Sequence, residues 1–476
     1  MTGKPQLLQL IAATGLMLVL LIACSDTVGG HDHDDDPEYN LTYISPSPQR
    51  EGDADRGFQY LVTGDYLKSG VPIEVFRQAL GENKENALGR EGDNATLSHF
   101  STAVDAPNGT RVVTQNCLLC HAEYLNGKLV VGLGNNTRDF TVDNSQFFGL
   151  LTMMVENAYG AQSPEREAFE SYRRSIVATG PQIVTKVRGT NPADKLTFVL
   201  AAHRDPQTLE WRDLPSPALP PADEIIPSDV PAWWLLKYKH AMFYSGIGRG
   251  SFSRLLMAAS ILTLSDSSEA RRTDQHFGDV LAFINSIEAP AYPWPVDAEL
   301  AAEGRQIFES TCSDCHGKYS DGVQYPNVIV PLDVIDTDPM LTQSYSGLWS
   351  AHVNLFNSSW FAAGEYSARI EASNGYVAPP LVGVWATAPY LHNGSVPTLQ
   401  DMLDSKNRPA AWKRRFDNSD YDKVKGGWRY DVQSAGSGNA EVYDSSLPGH
   451  GNGGHRFGDK LTDAERSAVI EYLKTL

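Results

Sequence analysis

Cysteine is scarce in this chain. There are 5 in 476 residues, at Cys24, Cys117, Cys120, Cys312 and Cys315, so each one can be assigned a job. Positive charge is also short, with 39 Lys and Arg against 58 Asp and Glu and a net charge of −19. That deficit excludes nucleic acid as a natural partner, because phosphate binding needs surplus cations; a basic electron carrier would instead be steered favourably. The apolar run "LLQLIAATGLMLVLLIAC", residues 7 to 24, is too short and too near the start to span a membrane in the mature protein. What remains is ordinary for a globular chain of two or three domains, with 41% apolar and 10% aromatic residues.

Four of the five cysteines fall into two copies of one pattern. "QNCLLCHAE" carries Cys117, Cys120 and His121, and "TCSDCHGKY" carries Cys312, Cys315 and His316. One such Cys-x-x-Cys-His is expected by accident in roughly one chain in a thousand of this length, so the doubling is not chance. A zinc site built from four thiolates leaves both histidines unexplained, and a thioredoxin-type pair wants a βαβ context that neither flank offers. Covalent haem accounts for all six residues. The thiols Cys117 and Cys120, and again Cys312 and Cys315, attach to one porphyrin edge, and His121 or His316 gives its imidazole to the iron.

The fifth cysteine has its own setting. Lys4, an apolar stretch and a close of small residues read as an export leader over residues 1–23. "LIAC" followed by Ser25 and Asp26 resembles the lipobox of bacterial lipoproteins, which implies that Cys24 is lipidated and becomes the new N-terminus. The other reading is a plain secretory signal with an incidental cysteine. Either way the chain is exported, to the periplasm or anchored through lipid to the outer membrane of a bacterium, where haem is attached. "SDTVGGHDHDDDPEYN" then cannot bury a core, so residues 24–50 read as a flexible acidic tether, with His31 and His33 as solvated linker residues.

The motifs organise the rest as a mainly α chain of two cytochrome c-like haem domains with long loops, at residues 51–290 and 291–476. Gly and Pro are plentiful, 40 and 28, as suits helices held by loops around a porphyrin. Ahead of Cys312, Leu300, Gly304, Ile307 and Phe308 fall at helical spacing, with Glu299 and Glu303 early in the helix. At the other end "LTDAERSAVIEYLKTL" has a capping box, Thr462 with Glu465, and an apolar face of Leu461, Val469, Tyr472, Leu473 and Leu476. The first half closes in the same manner with Val280, Leu281, Ile284 and Ile287 on one face. "PALPPADEIIPSDVPAWW" reads as a proline-rich connection.

"WATAPYLHNGSVPTLQDML", residues 385 to 403, resembles the signature that follows the second haem in the bacterial di-haem peroxidase superfamily. That superfamily includes di-haem cytochrome c peroxidases, MauG-type enzymes and di-haem rubber oxygenases. With both haem motifs and "WWLLKYKHAMFYSGIGRG", the resemblance covers residues 100–476 in outline. It implies two covalent haems, an N-terminal one that reacts and a C-terminal one that is six-coordinate and relays electrons. It also allows a calcium ion between the domains, for which no ligands can be named. Such a protein would take a small-molecule oxidant, dioxygen or peroxide, and exchange electrons with a small redox protein.

Two departures set this chain apart. Fourteen residues beyond His392 the peroxidases carry a Met and MauG-type enzymes a Tyr as ligand of the second haem; here that position is Lys406. The glycine-rich "PGHGNGGHRFGDKL" offers His450 and His455 instead, similar to the bis-histidine coordination of rubber-oxygenase-like members. The expected sixth ligand is His455, then His392, with His450, His352 and Met340 behind them; His392 also suits a bond to a propionate or carbonyl. The second departure lies over the first haem. "AMFYSGIGRG" resembles the segment that covers the reacting haem, but no Gln or acid follows it until Asp266. Phe243, Tyr244, Arg249 and Phe252 are the candidate catalytic residues, with Trp233, Trp234 and Met257 as further walls. Leu255, Leu256, Met257 and Ile261 at helical spacing also fit plain core. The expected function is a haem-dependent oxidoreductase, with a purely electron-transferring cytochrome as the alternative, in which His240 or Met242 closes the first iron. A non-haem metal or redox-thiol protein remains a distant third.

Overall fold

The glycines at two helix crossings explain the frame. In the helix Ala298–Thr311, Gly304 lies so close to the C-terminal helix Asp463–Leu473 that a Cβ there would fall 1.8 Å from the Ala468 carbonyl oxygen. Only hydrogen fits at such a contact. The first half repeats the device: Gly57, in the helix Ala54–Thr63, sits where a Cβ would be 1.9 Å from the Asp279 carbonyl oxygen of the helix Ser267–Ser286. Each of these four helices starts from a side-chain cap, Asp53, Asp266, Asp297 or Thr462, and at Thr462 the capping box with Glu465 forms as the sequence predicts. Val469, Tyr472 and Leu473 are buried, with Leu461 and Leu476 packed at the margin. Val280, Leu281 and Ile284 are buried in the largest cluster.

The structure, a computed structural model, describes residues 39–216 and 225–476. The leader, Cys24 and the tether to residue 38 lie outside the described residues, as does the first part of the proline-rich stretch, 217–224. Residues Asn40–Leu476 form one unit. Within it, no described helix is long and apolar enough to cross a membrane.

The mainly α expectation, with two separate haem domains, is corrected here. The described residues are about 40% helical and 13% strand, in several small sheets, and two haem domains are not shown. The physical reason is pairing between distant parts of the sequence. Thr42–Tyr43, in the stretch read as the end of the tether, pairs antiparallel with Val328–Pro331, which also takes Gly375–Val377 on its other side. Gly248–Gly250 pairs with Ala368–Ile370, placing Arg249 opposite Arg369. Gln49 reaches the same place, donating to the Gly250 carbonyl at 2.9 Å and accepting from the Phe252 N–H at 2.9 Å. The largest apolar cluster draws on both halves, from Leu61, Leu118 and Phe277 to Tyr345, Trp349 and Tyr376, and both Cys117 and Cys315 pack against it. A further sheet centred on Ala411–Arg414, between Tyr430–Val432 and Tyr443–Asp444, follows the signature.

Candidate functional site

Both motifs take the same local shape. Each is a single helical turn in which the histidine N–H donates to the carbonyl of the first cysteine, at 3.1 Å for His121 on Cys117 and 3.0 Å for His316 on Cys312. That turn puts the two thiols and the imidazole on consecutive corners, as attachment to one porphyrin edge and its iron requires. All four thiols are free. Burial pushes Cys117 and Cys315 up to about 11 and Cys312 up to about 12, and raises Cys120.

At the second motif, the Nδ1 of His316 lies 2.8 Å from the Pro379 carbonyl. A carbonyl only accepts, so Nδ1 carries the proton and the Nε2 lone pair is left for a metal. Across from it stands His455, ring centre to ring centre 6.1 Å and tilted by 56°. An imidazole nitrogen binds a first-row metal at about 2 Å, so two imidazoles on opposite sides of one metal stand about 6 Å apart between ring centres. The pair fits that arrangement. Burial, with His316 nearby, pulls His455 down to about 3, and its Nδ1 is buried without a partner. Both rings are therefore neutral at physiological pH.

The other candidates stand elsewhere. His392 stacks on Tyr376 at 4.0 Å between ring centres, its Nε2 buried without a partner, and its carbonyl accepts from the Asp229 N–H at 2.7 Å. Its neighbour Asn393 does the work of the signature on the histidine loop, donating to the Gly449 and Gly451 carbonyls at 3.0 and 2.9 Å. His450 points its Nδ1 at the Pro448 carbonyl, 2.9 Å away. His352 is 1% exposed beside Phe198 and Trp349, with both nitrogens lacking a partner. Met340 opens the helix Met340–Ser346. Lys406 is exposed.

At the first motif, Asn116 accepts from the Leu118 N–H at 2.9 Å, the Tyr66 hydroxyl accepts from the Cys117 N–H at 3.2 Å, and Asn191 Nδ2 lies 3.6 Å from the Cys120 sulfur. The ring against His121 is Trp233, stacked 4.4 Å away at 18°. Burial pulls His121 down to about 3, and its Nδ1 has no partner. Trp233 was expected among the walls of a distal pocket; it lies instead beside the motif histidine. Trp234 turns the opposite way, into a second cluster with Phe308 and Trp385, and its indole N–H donates to the Val382 carbonyl at 2.9 Å.

The covering segment forms a tight loop closed between Met242 and Gly248, whose backbone N–H and C=O groups exchange bonds at 2.9 and 3.4 Å. Phe243 at its tip has φ 69° and is 36% exposed. The Tyr244 hydroxyl donates to Asp229 at 2.8 Å, and burial pushes that carboxyl up to about 7. Arg249 faces Glu371 with 3.8 Å between Nε and the carboxylate, and Phe252 is buried at the head of the helix Phe252–Met257. Leu255, Met257 and Ile261 are core residues. His240 is tied through Nδ1 to the Ile44 carbonyl at 2.7 Å. An acid and a glutamine do meet this segment from elsewhere in the chain: Asp229 at the Tyr244 hydroxyl and Gln49 on the Gly250 and Phe252 backbone. Their only sequence signals were an acid inside a proline-rich stretch and a glutamine in a supposed tether. Among the described residues no three His, Cys, Asp or Glu side chains converge as a metal site, and the calcium expectation gains no ligand set.

Comparison with known proteins bears on the segment that holds His392. A RoxA-like, cytochrome c-like family model matches residues 375–413. This supports the rubber-oxygenase-like side of the resemblance at a coarse level and, with it, covalently bound haem c in a c-type cytochrome. The matched stretch runs from the strand beside Val328–Pro331 through Pro379, the acceptor for His316, to the strand Ala411–Arg414. The chain is also similar to two proteins of Sinorhizobium fredii (strain NBRC 101917 / NGR234). The uncharacterized protein y4iM is 30% identical over 294 residues, 54% of this chain and 66% of that protein. The uncharacterized protein y4iJ is 29% identical over 246 residues, 38% of this chain and 41% of that protein. Both matches span less than two thirds of the relative's own length.

Proposed function

We propose that this chain is a di-haem c-type cytochrome acting as a redox enzyme, which uses dioxygen or peroxide at the site of Cys117, Cys120 and His121. The site of Cys312, Cys315 and His316 relays electrons to it. The observation that carries the reading is what faces the two motif histidines: an imidazole, His455, 6.1 Å from His316, and an indole, Trp233, stacked 4.4 Å from His121. Haem c, when bound, supplies an iron that changes oxidation state and binds small oxidants where a coordination position is open. His316 and His455 would together hold the iron of the second haem and keep small molecules from it, whereas His121 would supply one ligand to the first. Tyr244 and Asp229 hold a proton between hydroxyl and carboxyl, and with Asp229 near 7 that proton is exchangeable at neutral pH. Trp233 is buried against the His121 ring and excludes water from that side of it. By analogy with rubber oxygenases, slow peroxidase turnover is expected beside oxidation of an apolar, polyisoprenoid-like compound. The same reading makes Cys24 the lipidated terminus of an exported protein, and the net charge of −19 suits a basic redox partner.

Carbon monoxide titration of the reduced holoprotein tests this. A pyridine haemochrome assay should count two haems resistant to acid–acetone, and C117S/C120S should lose one of them. The wild type should bind CO at the His121 haem alone, and His455→Ala should open a second CO site. A wild type that binds no CO at either haem would establish the electron-carrier alternative.

A further inference from the structure

His455 does not reach its place by ordinary backbone preference. It has φ 47°, in the left-handed region that residues with a Cβ seldom occupy, and Gly454 before it has φ 74°. The loop is also pressed hard against another segment: a Cβ on Gly454 would fall 2.3 Å from the Asp336 carbonyl carbon and oxygen. The His455 N–H donates to the Ile335 carbonyl at 2.7 Å. Its imidazole has no partner on Nδ1 to orient it, unlike His316, which Pro379 holds. The ring direction therefore depends on the backbone that carries it.

That backbone is gripped by one side chain. Arg408 Nη1 donates to the Asn452 and Gly454 carbonyls at 2.7 and 2.8 Å, and Nη2 donates to His455 at 3.3 Å. Its two remaining N–H groups run the other way, from Nε to the Asp401 carbonyl at 2.8 Å and from Nη2 to the Met402 carbonyl at 3.0 Å. A guanidinium has five N–H donors in a rigid fork, and here all five end on main-chain oxygens. Asn452 closes the clasp by donating to the carbonyl of Pro409, 2.8 Å away. The fork thus ties the short helix Leu399–Leu403, within the signature, to the loop of His455. Neither Lys nor Gln can copy this, because neither presents five donors in one plane.

We propose that Arg408 is a positioning residue for the sixth ligand of the haem on His316: it holds the 452–455 backbone so that the His455 ring stays opposite His316. The proposal rests on the reading of His455 as that ligand. Arg408 touches no reacting atom and acts through the loop.

The test uses haem-loaded R408Q, R408K and H455A proteins beside the wild type, read by ferric EPR, optical spectra and CO binding to the ferrous form. In R408Q the low-spin signal of the His316 haem should give way to high-spin. CO should enter that haem at least about tenfold faster than in the wild type, since each lost charge-assisted bond shifts the ligated population by such factors. Added imidazole should restore the low-spin spectrum, and the haem on His121 should keep its wild-type CO affinity. R408Q/H455A should match H455A, because both changes remove one ligand. R408K decides by the same CO measurement if R408Q fails to accumulate. CO entry supports the clasp, and a CO-inert, low-spin haem in whichever variant is obtained overturns it. Should H455A itself stay low-spin and closed to CO, the assignment of His455 has failed; should H455A open while the Arg408 variants stay closed, only the positioning role has.

Discussion

Replacing Gly304 by Ala tests the helix crossing that carries the second motif. In isolation the change favours a helix, by about 1 kcal/mol for an interior position. Here the new methyl would lie 1.8 Å from the Ala468 oxygen, 2.3 Å from its carbon and 2.9 Å from the Val469 nitrogen, all backbone atoms that cannot rotate away. Ordinary contact starts near 3.4 Å, so the helices must separate by up to about 3.4 − 1.8 = 1.6 Å at this point. Overpacking costs about 1–3 kcal/mol, and rigid backbone on the far side puts this case at the upper end, about 3 kcal/mol, which exceeds the propensity gain and leaves a net loss of about 2 kcal/mol. The displaced helix ends at Cys312, so loss of covalent haem from that motif should accompany it. Gly149 is the control. It lies in the helix Ser145–Tyr159, and a Cβ there meets nothing within 4 Å, so G149A should stabilise by about 0.5–1 kcal/mol. Urea melts of the holoproteins, with haem content by absorbance, read both. A G304A midpoint equal to wild type, or a destabilised G149A, would refute the packing argument.

Asp229 predicts a pH effect of definite sign. Its folded pKa is raised to about 7 by burial, so between its unfolded value near 4 and about 7 the folded state keeps a proton that the unfolded state has lost. Stability should fall as pH rises through that window, by up to about 1.4 kcal/mol per pH unit from this group, and Asp229→Asn should flatten the slope. Urea midpoints from pH 4 to 8 would show it, and an unchanged slope in the variant would sink it. For Cys24, mass spectrometry of the mature protein should find a diacylglyceryl-modified terminus, whose two chains suffice for stable anchoring at about 0.8 kcal/mol per methylene. An unmodified terminus, or cleavage at another position, would end the lipoprotein reading.

What the sequence could state was local. A thiol pair with an adjacent imidazole is complete within five residues, and a capping box within four, so both motifs and the cap at Thr462 with Glu465 were legible before any fold was known. The closing helices were legible because an amphipathic face repeats over several turns. The strands were not: at 2 to 5 residues each they are too short to show alternation, and their partners lie hundreds of residues away, as Thr42 and Ile329 do.

The same division runs through the candidate site. The sequence alone determined which residues bring the chemistry, since the doubled Cys-x-x-Cys-His and the surplus histidines of the glycine-rich loop are matters of composition and spacing. Tertiary structure decided what each one meets: His455 across from His316, Trp233 against His121, Asp229 under the Tyr244 hydroxyl and Arg408 around the loop of His455. These meetings depend on segments packed together from far apart in the chain, and no local pattern encodes the distance between two side chains that only a shared core brings together.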